Sequence, residues 1–239
     1  MKKYICIFTI LFIPVVAHTQ STSEGEVNLS LNLKAGALFQ SYNIELPGLS
    51  NDLNSSTANS SGVLIGADVV VKKNWLGLIT TIYGRTCSAD ESFYLETFEL
   101  NSFTSGKFYS FGVLTGLYFE MSIGEGVFNS LYAKLQAGSM RTYFPNQELN
   151  FTDSYLSSIQ IESKVSAGFV SNIGLGAKFR IGEKSLVGVD VNLMRETADI
   201  LSTQIWDYSD ITISNERMEE SIEWNQFNFN PNIIYTYNF

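Results

Sequence analysis

Apolar and polar residues alternate along most of this chain, most regularly in residues 223–239, EWNQFNFNPNIIYTYNF. From Phe227 every second residue is apolar or aromatic: Phe229, Pro231, Ile233, Tyr235, Tyr237 and Phe239. Gln226, Asn228, Asn230, Asn232, Thr236 and Asn238 occupy the positions between, with Ile234 the exception. A period of two predicts a strand with one apolar and one polar face. Pro231 cannot donate to a ladder, so it marks an edge, a bulge or the end of the membrane-embedded part.

Seven earlier stretches repeat the pattern, at about 27–42, 62–72, 75–88, 106–122, 128–143, 162–181 and 185–196. In the clearest, Val165, Ala167, Phe169, Ile173, Leu175, Ala177 and Phe179 oppose Ser166, Gly168, Asn172, Gly174, Gly176, Lys178 and Arg180. The connections alternate in length. Lys73-Asn74, Gly124-Glu125-Gly126 and Gly182-Glu183-Lys184 read as tight turns. Residues 43–61, 89–105, 144–161 and 197–222 read as long loops, which are uncommon in compact soluble domains. Short turns at one end and long loops at the other describe a transmembrane barrel. The expected fold is all-β: an eight-stranded antiparallel up-and-down transmembrane β-barrel. With eight strands both termini fall on the short-turn side.

Alternation alone does not give the sign of the faces. A soluble lipocalin-like ligand-binding barrel also alternates, with its apolar face inward. Here several strands exceed the ~9–11 residues that cross a bilayer. Their polar faces carry Lys34, Asp68, Arg85, Glu120, Lys134, Lys178, Arg180 and Asp190 together with glycine. Opposite charges and small residues can fill the narrow interior of an eight-stranded barrel as a plug. A narrow ion path along the same residues is the alternative. Trp75, Tyr118, Phe128, Tyr132, Tyr143, Tyr235 and Phe239, near strand ends, are read as interfacial girdles.

Residues 1–19 have the form of a secretory signal peptide. Lys2 and Lys3 precede an apolar run to Val16, and Ala17-His18-Thr19 offers a small-x-small cleavage site. Residues 20–239 then form one barrel domain. Removing the signal makes the chain, net −9 overall, two units more negative, which excludes nucleic acid as a partner. It also removes the one histidine, His18. Ser–His and Asp–His mechanisms are thereby excluded, and no catalytic residue is assigned. A carboxylate-only glycosidase stays open. Cys87 is the one cysteine left, so no intrachain disulfide forms, and a buried or lipid-facing role is expected for it.

The loops are acidic, with Asp90, Glu91, Glu96 and Glu99 in one and Asp199, Asp207, Asp210, Glu216, Glu219 and Glu220 in another. No D-x-[DN]-x-[DN]-G calcium loop occurs, so no metal or cofactor is assigned and a solvated surface is expected. Glu216, Glu219, Glu220 and Glu223 would repel on one helical face, so that segment is expected to be a mobile loop. Residues 49–61, rich in Ser and Asn, are expected to be disordered. Trp206, Tyr208 and Ile211 form either an exposed patch or a segment that packs onto the barrel rim or extends the last two strands.

The signal, the eight alternating segments and the terminal pattern Ile233-Tyr235-Tyr237-Phe239 resemble small outer-membrane β-barrel proteins. The resemblance is to the OmpA/OmpX/OmpW-like barrels and especially the Bacteroidota PorT-like outer-membrane β-barrel family. It implies export to the bacterial outer membrane, contact with membrane lipid and lipopolysaccharide, and recognition of the C-terminal strand by the barrel-assembly machinery. It further implies a monomer with a structural or interaction role, or alternatively a narrow pore or secretion-machinery component.

Overall fold

The computed structural model describes residues 27–43, 57–124, 126–152, 156–208 and 216–239. Eight strands form the staves of a closed barrel: β1 (Val27–Asn43), β2 (Thr57–Lys73), β3 (Leu76–Ser88), β5 (Lys107–Ser122), β6 (Phe128–Phe144), β9 (Lys164–Arg180), β10 (Ser185–Tyr208) and β11 (Glu216–Asn238). Each pairs antiparallel with the next, and β11 returns to pair with β1. Closure leaves no stave edge unpaired in the hydrocarbon region.

The register fixes the stagger. From Leu33 the partners run through Ala67, Ile82, Val113, Ser139, Phe169, Thr197 and Asn225, and arrive back on β1 at Asn43 rather than Leu33. A stagger of this size obliges the strands to tilt by roughly 35–45° to the barrel axis.

The faces have the polarity of a membrane protein. Ile233 is 67% exposed while its neighbour Ile234 is 1% exposed. Leu33, Ile65, Phe111, Leu135, Phe169, Leu175 and Val189 are likewise exposed, whereas Lys34, Asp68, Lys134, Lys178 and Asp190 are buried. A soluble ligand-binding barrel would have the reverse arrangement.

Two expectations are corrected and one is decided. The second stave starts at Thr57, inside the Ser/Asn-rich stretch, because 57–61 pair with residues 39–43 of β1; residues 49–56 lie outside the described residues. The acidic stretch from Glu216 is a strand paired with the upper part of β10. An extended backbone puts Glu216 and Glu219 on opposite faces and relieves the repulsion that a helix would impose. Of the readings offered for Pro231, an irregularity in the ladder is the one found: it lies within β11, still paired with β10. Ala37 and Leu38, opposite Asn230 and Pro231, form no ladder pair with them, so the missing N–H interrupts the β1–β11 seam. A Cβ on Gly36 would meet the Pro231 carbonyl oxygen at 2.1 Å, so the backbones can approach here only because Gly36 has no side chain. The expected signal peptide and Ile211 lie outside the described residues.

The remaining elements build a cap at the long-connection end. Helix α1 (Glu91–Thr97) and strand β4 (Leu100–Ser105) lie between β3 and β5, and β7 (Gln147–Phe151) and β8 (Leu156–Ile161) lie between β6 and β9. β8 pairs with the top of β10, β7 with β8 and β4 with β7. These segments are folded structure, where the sequence predicts loops.

Candidate functional site

The described features with functional potential are the lumen and its cap. On the inner face, side chains form successive floors. The basal floor centres on Glu120, which pairs with Lys72 and lies 3.3 Å from Lys178 Nζ, while Ser130 Oγ donates to it at 2.6 Å. The Lys178 ammonium stands 5.2 Å from the ring centroids of both Tyr118 and Tyr132. The sequence places these two tyrosines in the girdles. They share inward parity with Glu120 and Lys134, so they line the lumen instead, and Tyr118 is fully buried. Trp75, Tyr143, Tyr235 and Phe239 do face outward.

The middle floor is a balanced quartet. Lys34 Nζ lies 2.8 Å from Asp68, and Lys134 Nζ lies 2.5 Å from Asp190 and 3.8 Å from Asp68. Thr81 Oγ1 donates to Asp68 at 2.6 Å and accepts from Gln136 Nε2 at 2.7 Å. Asn192 and Asn232 donate to Asp190 at 2.9 and 2.8 Å. Two cations and two anions cancel, and these bonds offset much of the desolvation penalty of bringing them inside.

The upper polar floor is one pair, Arg85 with Glu196, to which Gln226 also donates. Glu196 sits on the polar face expected for β10, but at the very end of the predicted strand, outside the charged set read from the sequence. Lys72 is a second lumen charge missing from that set, since its β2 parity continues into the turn. Arg180, expected in the lumen, is exposed at the short-turn rim and donates to Asn129 at 2.9 Å. Cys87 is buried, facing inward.

Above this, the lumen becomes aromatic. The Trp224 ring lies 4.8 Å from Tyr42, 4.9 Å from Phe144 and 5.6 Å from Phe108. The same apolar cluster continues into the cap through Tyr94, Phe98, Phe103, Leu149, Ile159, Ile161 and Trp206. Asp90 caps α1 by accepting from the Phe93 N–H at 3.2 Å, and Tyr94 stacks on Phe103 at 4.0 Å. Burial pushes the Tyr94 phenol well above its ordinary range, with Tyr42 adding to the effect. The detectable signal for the cap is apolar density in the predicted loops: Phe93, Tyr94, Leu95, Phe98 and Phe103 in one, Leu149, Ile159 and Ile161 in another. Trp206 is buried in a strand extension, which decides between its two expected roles.

Chemically, the lumen offers buried, compensated charge. Among the described residues no group of three or more His, Cys, Asp or Glu is placed to hold a metal ion.

A closed antiparallel barrel with an apolar outer belt and a charged interior is an outer-membrane-type β-barrel, whose membrane is the bacterial outer membrane. No family model matches the chain, and no curated protein matches it in sequence. Solved structures do resemble it. Ail, the attachment invasion locus protein of Yersinia pestis, is 14% identical over 90% of this chain and 99% of that one, with a TM-score of 0.40. Neisserial surface protein A is 10% identical over 90% and 99%, at 0.42. A major outer membrane protein from Thermus thermophilus is 10% identical over 88% and 99%, at 0.45. At these scores the class stands on the chain's own geometry.

Proposed function

We propose that this barrel is a non-enzymatic, non-conducting outer-membrane protein that acts through its folded cap, as a structural element or as a surface for an extracellular partner. The observation that carries this reading is the filling of the lumen: three polar floors are roofed by one apolar cluster shared between staves and cap. A pore would need a continuous wet path, and Tyr118, Tyr132, Lys134, Leu114 and Trp224 lie buried across the way. The finer kinship we propose is with the PorT-like barrels of Bacteroidota, supported by the terminal aromatic pattern. A monomer, with a C-terminal strand read by the barrel-assembly machinery, completes the proposal.

The test is planar-bilayer recording on purified, heat-modifiable protein. Conductance at background level is expected. Steady single-channel steps well above background would overturn the reading in favour of a pore or secretion component.

A further inference from the structure

The outward-facing charges at the cap end of the belt are unevenly distributed. On β6 the outward positions run Leu135, Ala137, Ser139, Arg141, and on β10 they run Val191, Leu193, Arg195. Both arginines are exposed near the cap end of the apolar belt, with outward Tyr143 and Val165 one step beyond Arg141. Arg141 stands beside Phe111 and Ala167, and Arg195 beside Ser171 and Phe227. Further toward the cap, exposed Lys107 begins β5 at an outward position, and the paired rings of Tyr109 and Tyr143 lie outward below it at 6.2 Å. Among the described residues none of these three cations forms an ion pair. Toward the belt's upper edge on the opposite wall, the outward positions of β1, β2 and β3 are Ser41, Asn59, Ser61 and Thr86, all uncharged. At the cap end of the belt, a chain of net charge −9 thus places the outward basic groups Arg141, Arg195 and Lys107 on one wall. Toward the cap on that side, Asp199 lies outward beyond Arg195, and exposed Glu162, just ahead of β9, is paired with Arg217.

We propose that the wall of β5, β6, β9 and β10 binds a phosphate-bearing lipid headgroup of the outer leaflet, with Arg141 and Arg195 as the primary contacts and Lys107 as the outer one. A guanidinium at the belt edge cannot turn toward hydrocarbon without loss, and its fork matches phosphate oxygens in a bidentate way. The neighbouring Phe111, Phe169 and Phe227 are exposed apolar surface for the acyl chains of the same lipid. Tyr109 and Tyr143 supply amphipathic rings at headgroup depth. The inference rests on the barrel's being seated in a membrane, and it is independent of whether the lumen conducts.

The experiment reconstitutes wild type and an R141Q/R195Q double variant in phosphatidylcholine nanodiscs. Lipid A carrying two, one or no phosphates is titrated in, and bound lipid is read by native mass spectrometry. A Lys73→Gln variant at the short-turn rim is the control. Wild type and K73Q are expected to retain the phosphorylated lipids, and the double variant to bind about tenfold more weakly, as expected for losing charge-assisted phosphate contacts. The lipid without phosphate should bind all three equally weakly. Equal retention of phosphorylated lipid by wild type and R141Q/R195Q would overturn the proposal, as would retention that ignores phosphate number. Millimolar inorganic phosphate should not displace the lipid; full displacement would show an ion site and sink the lipid assignment. Both arginines are exposed, so unchanged heat-modifiability is expected and separates lost binding from lost fold.

Discussion

Lys134 Nζ lies 2.5 Å from Asp190 and 3.8 Å from Asp68, so one ammonium from β6 ties together carboxylates delivered by β10 and β2. Removing it leaves two buried anions with only Lys34 to balance them. Lys134→Ala should destabilise the barrel by about 3–5 kcal/mol, the usual cost of breaking a buried pair from one side. Urea titration followed by heat-modifiable gel mobility measures this, and a midpoint unchanged from wild type would refute it. Lys134→Ala combined with Asp190→Asn should recover part of the loss.

Glycine makes room for the lumen's largest side chains. A Cβ on Gly176 would lie 2.3 Å from Cζ of Tyr132. Gly176→Ala should therefore cost about 1–3 kcal/mol by overpacking. Adding Tyr132→Ala should make the alanine at 176 tolerable. If the double variant shows the same penalty for alanine at 176 as the single one, the steric account fails.

The C-terminal residues finish the seam. Tyr237 pairs with Leu31 on one side and Ser185 on the other, and the Phe239 N–H donates to the Leu29 carbonyl at 3.0 Å. Deleting residues 237–239 should sharply lower the folded, outer-membrane fraction. Pulse-labelled fractionation reads it directly, and normal insertion of the truncated chain would count against the seam's role.

The cap should respond to alkali. Tyr94 is buried as a neutral phenol, and its folded pKa stands well above the ordinary 10.0. Its contribution is complete below about pH 10 and is lost as pH rises beyond that, because only the opened cap can release the proton. Limited proteolysis within 89–105 should accelerate above that pH in wild type. Tyr94→Phe should shift the onset upward, and an onset identical in both proteins would assign the opening to another group.

The staves were legible because a strand crossing a bilayer next to a charged lumen must alternate strictly, and 165–179 and 227–239 do so. The lumen was legible where charge sits mid-strand, as at Lys34, Asp68 and Lys134. It was not legible where size mattered more than charge. Tyr118 and Tyr132 have the composition of a girdle, and only their inward parity, confirmed by the ring contacts to Lys178, places them inside. Arg180 has inward parity too, but the stave ends there and its side chain reaches solvent. The cap was hidden because its strands are five or six residues long, too short to show a period, and because the acidic residues of 89–105 drew the reading toward solvent. Its core joins two stretches far apart in sequence, 91–105 and 147–161, with Trp206 of β10, and no local window contains both.

The rung missing at Pro231 bears on how the barrel is born. It splits the β1–β11 seam into two stretches, Ser30–Gly36 against Asn232–Asn238 and Phe39–Asn43 against Asn225–Phe229. Zipping that starts at either end must jump a break before it can propagate. Closure of the newborn cylinder therefore has to bridge two unpaired positions in its last seam, and replacing Pro231 with a residue that has an N–H should let that ladder run through.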